Sequence, residues 1–580
     1  MSRIALIRFL LLAAIVATFG RIVFNDFVDW DDGKLIFLNP NINNPTLRGL
    51  ARQWNWNDPN TNSLYDPLVY TTWWGLSHVA QLDTADIMGA RLNPQIFHLA
   101  NLLVHCLTAL VVLEILRRLA MPDWAAAAGA AVFALHPIQT EAVAWATGMK
   151  DLLGGLLAML TIWRYLVAVQ ASGNRRRNNY ILATLLFAAA LLAKPSAVVV
   201  PLILAVIDLV IYRRDWRDVA MRIAPWLAMA AVAIRLAIVI QSTTRLEKTP
   251  LWARLLIAMD ALSFYFYKLV LPIRLSFDYG RNTGALFYDP TLHHPLYWTW
   301  IFPLALGVIL WRLRRPMLTT AGLVFLLGVL PVLGLTPFVF QYYTNVADRY
   351  IYVSMLGVAM AVAWLMSKYS NRIAIGIVCA VLVVFCSLSF LQAGIWQDSD
   401  TLYERGLSLN RTSSIHYIIL GQYKMRLYEA AVKRAVLAQR ARDFAQERQE
   451  LAEADQDLDQ AMDAFRTMVA LDSRDASGYE DYVAKILYPD VIGASRWKDA
   501  LEVYQVLIKS PPWAQAQRER PEVPHKTLAM LYAKNGQYAL AIQEFQTALK
   551  IKPDASVQKL LDQTRQEMRA ASRPTSARSK

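Results

Sequence analysis

The sequence predicts an all-α protein in two parts, a polytopic membrane helical bundle of about eleven spans followed by a soluble α-solenoid. Three observations carry this reading. The 580 residues are 56% hydrophobic and only 18% charged, with a mean hydropathy of +0.29, too apolar for a soluble globule of this length. Apolar runs long enough to cross a bilayer alternate with short basic tracts, Arg117-Arg118, Arg175-Arg176-Arg177, Arg213-Arg214 and Arg314-Arg315, as expected of loops retained on the cytoplasmic side. From Asp398 onward the composition turns abruptly charged, alanine-rich and helical. The net charge of +14 therefore reports topology, and no nucleic-acid partner is expected.

A helix needs about 20 apolar residues to cross the hydrocarbon core. The run from Ile4 to Phe24 leads out of the cytoplasm, and its lack of a small-residue cleavage site marks an uncleaved anchor. Residues 25–95 form a large first outer loop rich in tryptophan, with Trp54, Trp56, Trp73 and Trp74 suited to the headgroup level. Further spans follow at Phe97 to Ile115, Trp124 to Leu135, Leu152 to Val169, Tyr180 to Ala193, Val198 to Ile211 and Ile223 to Ile240. Leu255 to Leu271 reads as re-entrant or interfacial, because a full crossing there would put the Arg312 to Arg315 tract outside. Four more runs, Trp298 to Leu310, Leu318 to Leu335, Ile351 to Met366 and Ile373 to Leu391, complete the count and leave the C-terminal region outside. The three cysteines, Cys106, Cys379 and Cys386, all lie within apolar runs, so no disulfide framework is expected.

The C-terminal part carries an internal repeat. Leu528, Ala529, Tyr532, Gly536, Tyr538, Ala541, Phe545, Ala548 and Pro553 match the tetratricopeptide pattern in order and spacing. Small residues let paired helices approach, glycine permits the turn and the aromatics fill the gap between stacked units. Weaker copies run through Trp497, Ala500, Tyr504 and Pro512, and through Ala461 and Phe465, with a degenerate entry repeat from Leu402 to Lys433. The domain plan is thus 1–395 for the membrane part, 396–571 for the repeats and 572–580 for a basic, disordered tail.

Four polar clusters fall on the predicted outer face. Asp29, Asp31 and Asp32 follow the first span; they either mark a solvated helix end or supply a general base for a hydroxyl. His136-Pro137 with Thr140 and Glu141, then Trp145, Gly148, Lys150 and Asp151, form either a polar hairpin or part of a site. Lys194 before Pro195 puts an ammonium at the outer end of a helix, either as part of a site or as a snorkelling lysine. Asp348-Arg349 opens a helix, where a cation is unfavourable to the dipole and needs Asp348 or a lipid phosphate as partner. Two further features have plainer readings. His98, Asn101 and His105 share a helix face and suit interhelical hydrogen bonds better than metal ligation. Arg235, inside an apolar run, is expected to pair with an acid such as Asp208 or to face substrate.

The order of Asn25, Phe27 and Trp30-Asp31-Asp32, then Asn93-Pro94 with Phe97-His98-Leu99, His136-Pro137 with Thr140-Glu141, Lys150-Asp151-Leu152-Leu153, Ala347-Asp348-Arg349-Tyr350 and the repeats resembles the transmembrane and tetratricopeptide-repeat O-mannosyltransferases and their bacterial relatives, in the GT-C class of membrane glycosyltransferases. The resemblance implies a GT-C-like bundle that takes a sugar from a polyprenyl-phosphate carrier and places it on an acceptor hydroxyl, inverting the anomeric centre. It implies that Asp31 is the catalytic base with Asp32 assisting, that Lys194, Arg349, Lys150 and His136 hold the donor phosphate, and that Glu141, Asp66 and Asp348 line the pocket. No cofactor and no metal are called for, since basic side chains offset the phosphate charge. The implied partners are the polyprenyl-phosphate-linked sugar, membrane lipid, and an acceptor protein or glycan recruited by the repeats. Two departures stand out: Asp66 and Met149 occupy positions where relatives commonly have arginine.

Two other functions compete, a non-catalytic membrane-anchored repeat scaffold for envelope assembly and a transporter of a lipid-linked substrate. Anchoring needs one helix rather than eleven, and a transporter predicts charges near mid-bilayer on several helices. The expected location is a bacterial inner membrane with the repeat domain in the periplasm.

Overall fold

The computed structural model describes residues 2–57, 65–87, 89–240, 249–471, 501, 504–505 and 521–571. Among these the regular elements are helical, with an isolated antiparallel bridge between Gln81 and Leu92. The chain divides into two compact units, Met1–Arg411 and Thr412–Lys580.

In the first unit, α1 (Arg3–Phe19) leads into the large loop, whose main helix is α2 (Pro67–Ala80). Next come α3 (Pro94–Arg118), α4 (Asp123–Leu135), α5 (Met149–Val169), α6 (Gly173–Ala193) and α7 (Val200–Val206). The unit continues through α8 (Trp216–Ile240), α9 (Leu251–Val270), α10 (Ile301–Leu313), α11 (Pro316–Val329), α12 (Met355–Lys368), α13 (Arg372–Ala393) and α14 (Ser399–Leu409). Local sequence accounts for the boundaries. Asn93 caps α3 by accepting a hydrogen bond from Gln95 N–H, with Pro94 in the first turn. The α4 helix stops at His136, held in an extended conformation (φ −66°, ψ 132°) by the proline that follows.

Helix length and composition qualify six of the described segments as membrane spans: Arg3–Phe24, Pro94–Arg118, Ala146–Val169, Trp216–Ile240, Thr291–Leu313 and Arg372–Ile395. Shorter apolar helices lie at Asp123–Leu135, Pro195–Ile211, Pro316–Val332 and Met355–Lys368. Every expected span coincides with a helix, but these lengths do not establish the count of about eleven. The Leu255 to Leu271 run forms α9, which buries Asp260 against Arg281 at 2.6 Å. Arg235 is exposed on α8, and Asp208 instead accepts from Tyr165 Oη at 2.5 Å and pairs with Arg214 at 3.6 Å. The expected Asp208–Arg235 pair is therefore not formed.

Small residues set the closest helix approaches, as is usual where apolar burial cannot drive association. A Cβ on Gly129 of α4 would meet the Ala359 carbonyl of α12 at 2.4 Å, and one on Gly357 of α12 would meet the Ala321 carbonyl of α11 at 2.3 Å. Gly129→Ala is expected to destabilise the bundle by about 1–3 kcal/mol through overpacking, although alanine is the better helix former. A thermal melt in detergent checks this, and an unshifted melt would show that α4 and α12 part at no cost.

The first unit extends past the compositional change near residue 395 because the following segment is tied to the first loop. Asp26 N–H donates to the Gln397 carbonyl at 2.9 Å, and Asn25 Nδ2 to the Trp396 carbonyl at 2.9 Å. Asp29 N–H donates to Ser399 Oγ at 2.9 Å, and Tyr403 Oη to the Asp29 carbonyl at 2.6 Å.

In the second unit, α15 (Ser414–Ala441) and α16 (Phe444–Leu471) form a helical hairpin, with Phe465 seated against Gly421. The clear repeat is the pair α17 (Glu522–Lys534) and α18 (Tyr538–Ile551), followed by α19 (Ala555–Ala571). Ala529, Phe545 and Ala548 are buried with Val557 and Leu561 of α19, and Gly536 turns the chain at φ +71°, a conformation that favours glycine. Of the weaker copy, Trp497, Ala500 and Pro512 lie outside the described residues, as does the tail from Ser572.

Candidate active site

The first loop is fastened by Asp32. Its side chain is fully buried, and its carboxylate accepts hydrogen bonds from Val28 N–H at 3.0 Å, Thr147 N–H at 3.0 Å and Thr147 Oγ1 at 2.5 Å. Burial pushes its carboxyl up to about 7, opposed by the bonds from Thr147 and Val28 and reinforced by the neighbouring Asp31 charge. Thr147 lies in the turn Ala146–Gly148 that enters α5, so Asp32 is a clasp between loop and bundle. Asp31, one residue earlier, is half-buried, and its carboxylate makes no hydrogen bond or ion pair among the described residues. The adjacent Trp30 packs on Phe277 at 4.5 Å and on Phe340 at 6.4 Å.

Phe340 leads to Arg349. The guanidinium stands 4.6 Å from the Phe340 ring centroid, 5.0 Å from Tyr350 and 5.5 Å from Trp145, a cation enclosed by aromatic faces. It is paired with Glu141, which also accepts the Arg349 N–H at 2.9 Å. Asp348 turns the other way and accepts from Tyr279 Oη at 2.8 Å. A cleft lined by Asp151, Gly154, Gly155, Lys194, Arg349 and Tyr350 opens beside this pair. Lys194 is ion-paired with Asp151 while its side chain stays 26% exposed.

Lys150 and His136, expected at the donor phosphate, have other partners and are not among the cleft-lining residues. Lys150 Nζ is 3.6 Å from Asp66 and 5.7 Å from the Trp73 ring. His136 Nδ1 accepts from Ile138 N–H at 3.2 Å while Nε2 faces the Leu269 carbonyl at 3.1 Å, so both ring nitrogens are engaged. Asp66 is buried, one of its oxygens unpartnered; burial raises its carboxyl, opposed by Lys150. Met149 packs with Val69, Tyr70, Trp73 and Phe97 under the loop. The two departures thus fall in one neighbourhood, where Asp66 engages the Lys150 beside Met149.

Residues without an assigned role in the sequence complete the arrangement. Thr147 holds Asp32, Phe340 and Trp145 hold Arg349, and Asp151 holds Lys194. Of these, Trp145 and Asp151 stood out in the sequence as members of the polar stretch that follows Glu141. The histidines of α3 have backbone partners: His98 Nε2 faces the Asp26 carbonyl at 3.2 Å, and His105 Nε2 the Ala134 carbonyl at 3.0 Å.

Beside the cleft runs an apolar groove between α6 and α8, lined by Ala188, Leu191, Leu192, Pro195, Ala233 and Leu236 and reached by Tyr65 from the first loop. Lys194 lines the cleft and its chain neighbour Pro195 lines the groove.

Membrane helices bearing an ionic cleft, joined to a helical-repeat unit, define the class. A tetratricopeptide-repeat profile matches residues 524–555. The chain is 32% identical over 272 residues to protein O-mannosyl-transferase Tmtc2 of Drosophila melanogaster, a match covering 44% of this chain and 28% of that protein. It is 23% identical over 413 residues to protein O-mannosyl-transferase F38B6.6 of Caenorhabditis elegans, covering 68% and 56%. With human protein O-mannosyl-transferase TMTC1 the identity is 30% over 168 residues, covering 27% and 17%. The chain is thus similar to proteins named O-mannosyl-transferases and spans 56% or less of the length of each of these three.

Proposed function

We propose that this chain is an inverting membrane glycosyltransferase that moves a sugar from a polyprenyl phosphate to an acceptor hydroxyl. The observation that carries the reading is that consecutive residues line an ionic cleft and an apolar groove, Lys194 the first and Pro195 the second. A polyprenyl-phosphate sugar has this division of chemistry, an anionic head on a long apolar tail. Asp31 takes the proton of the acceptor hydroxyl, whose oxygen bonds to the anomeric carbon from the face opposite the phosphate. The bond from that carbon to the phosphate oxygen breaks, and its electron pair stays on the phosphate. Lys194 and Arg349 offset the charge that grows there. The relatives' names supply the reaction class and make mannose the first sugar to test. The repeat unit recruits the acceptor, and a bacterial inner membrane with that unit in the periplasm is the proposed setting.

The test uses the full chain in liposomes with radiolabelled polyprenyl-phosphate mannose and a hydroxyl acceptor. Ala233→Trp, which fills the groove, is expected to raise KM for the long-chain donor at least tenfold and to leave turnover of a short-chain, water-soluble donor unchanged. Equal KM for the long-chain donor in both proteins would remove the groove, and absence of transfer from every polyprenyl-phosphate sugar would remove the function.

A further inference from the structure

Lys194 is a long, flexible cation at a place where the chain leaves α6 in an extended conformation (φ −154°, ψ 117°). Two features of α5 immobilise it. At the root, a Cβ on Gly154 would lie 2.8 Å from the Lys194 Cβ, so the side chain starts against bare helix backbone. At the tip, the ammonium is ion-paired with Asp151, one turn earlier on the same face of α5. Gly155 makes the adjoining wall, since a Cβ there would lie 2.5 Å from the Tyr352 ring. That ring is held in turn by His105 Nδ1, 2.9 Å from Tyr352 Oη. The acid is only 6% exposed and the lysine 26%, so the lysine is the more accessible member of the pair.

We propose that Asp151 is a positioning residue which, with the notch at Gly154 and Gly155, fixes the Lys194 ammonium at the phosphate end of the cleft. This rests on the transferase reading above. An ion pair that merely neutralised a buried acid would need no glycine at the root of the lysine. Here root and tip are both fixed by α5, and both residues line the cavity that Arg349 also lines. Asp151 touches neither sugar nor acceptor in this scheme; it acts through Lys194.

The experiment measures binding of polyprenyl phosphate alone to the full chain in detergent, and KM and kcat for the polyprenyl-phosphate mannose donor. Asp151→Asn, Gly154→Ala and Lys194→Met are each expected to weaken phosphate binding at least tenfold and to raise donor KM. Gly154→Ala reproduces the effect without altering either charge. Because Asp151 works through Lys194, the Asp151→Asn, Lys194→Met double variant is expected to bind no worse than Lys194→Met alone. Wild-type binding by folded Gly154→Ala or Asp151→Asn protein, or additive losses in the double variant, would overturn the role of Asp151 and leave the transferase reading intact. Failure of the wild-type chain itself to bind polyprenyl phosphate would overturn both.

Discussion

Asp31→Asn is expected to lower sugar transfer by about 10²–10⁴-fold, the usual contribution of a general base, with the melting temperature in detergent unchanged. The separation follows from what each acid touches. Asp31 is half-buried and its carboxylate has no hydrogen-bond or ion-pair partner among the described residues, while its carbonyl accepts from Leu35 N–H at 2.9 Å, a bond the amide variant keeps. Asp32 is the opposite case. Both its oxygens accept hydrogen bonds, from Val28 N–H on one and from Thr147 on the other. An amide must aim its NH₂ at one of these donors, leaving a buried N–H unsatisfied at about 1–3 kcal/mol. Asp32→Asn should therefore lower the melting temperature, and it should also change the response to pH. Burial raises the folded-state value of Asp32 from 3.8 to about 7, so its contribution to stability is fully present below about 4 and is lost as pH rises through 7. The variant loses that slope in melts taken between pH 5 and 8. Full transfer by folded Asp31→Asn protein would remove Asp31 as the base.

The sequence exposed the elements of the fold more readily than the partners within the site. Apolar runs and basic tracts located the helices because both are local properties; the stop at His136-Pro137 and the repeat at 528–553 are local in the same sense. The pairing of charges is not local. Lys150 and Asp151 are adjacent in sequence but lie on different sides of α5, one engaging Asp66 of the loop and the other Lys194 at the end of α6. Nothing in the spacing distinguishes a cation that faces a cleft from one turned toward a buried acid. The same holds for Asp31 and Asp32. Their chemistry is identical, and only the approach of Thr147 from another part of the chain makes one a clasp. Asp208 choosing Arg214 over Arg235 is a third instance. Helices follow from period and length, while ion partners follow from tertiary packing.

Arg349→Met is expected to be the most destabilising of these substitutions, and a second substitution should separate its structural effect from its chemical one. Glu141 is buried, and its carboxylate is balanced by the guanidinium and by the Arg349 N–H. Removing the side chain leaves the backbone bond but strands the negative charge, and breaking a buried pair from one side typically costs about 3–5 kcal/mol. Replacing both members by neutral residues avoids that charge: in Arg349→Met, Glu141→Gln, the glutamine carbonyl still accepts the N–H at position 349, and methionine fills the space among Phe340, Tyr350 and Trp145. The double variant should recover most of the lost melting temperature. It should not recover transfer, because the cation that offsets the leaving phosphate is gone, and loss of one such donor typically costs about 10²–10³-fold in turnover. Stability restored with transfer still absent places Arg349 in the chemistry. Stability and transfer restored together would make the Arg349–Glu141 pair a structural strut and leave Lys194 as the phosphate contact in the cleft.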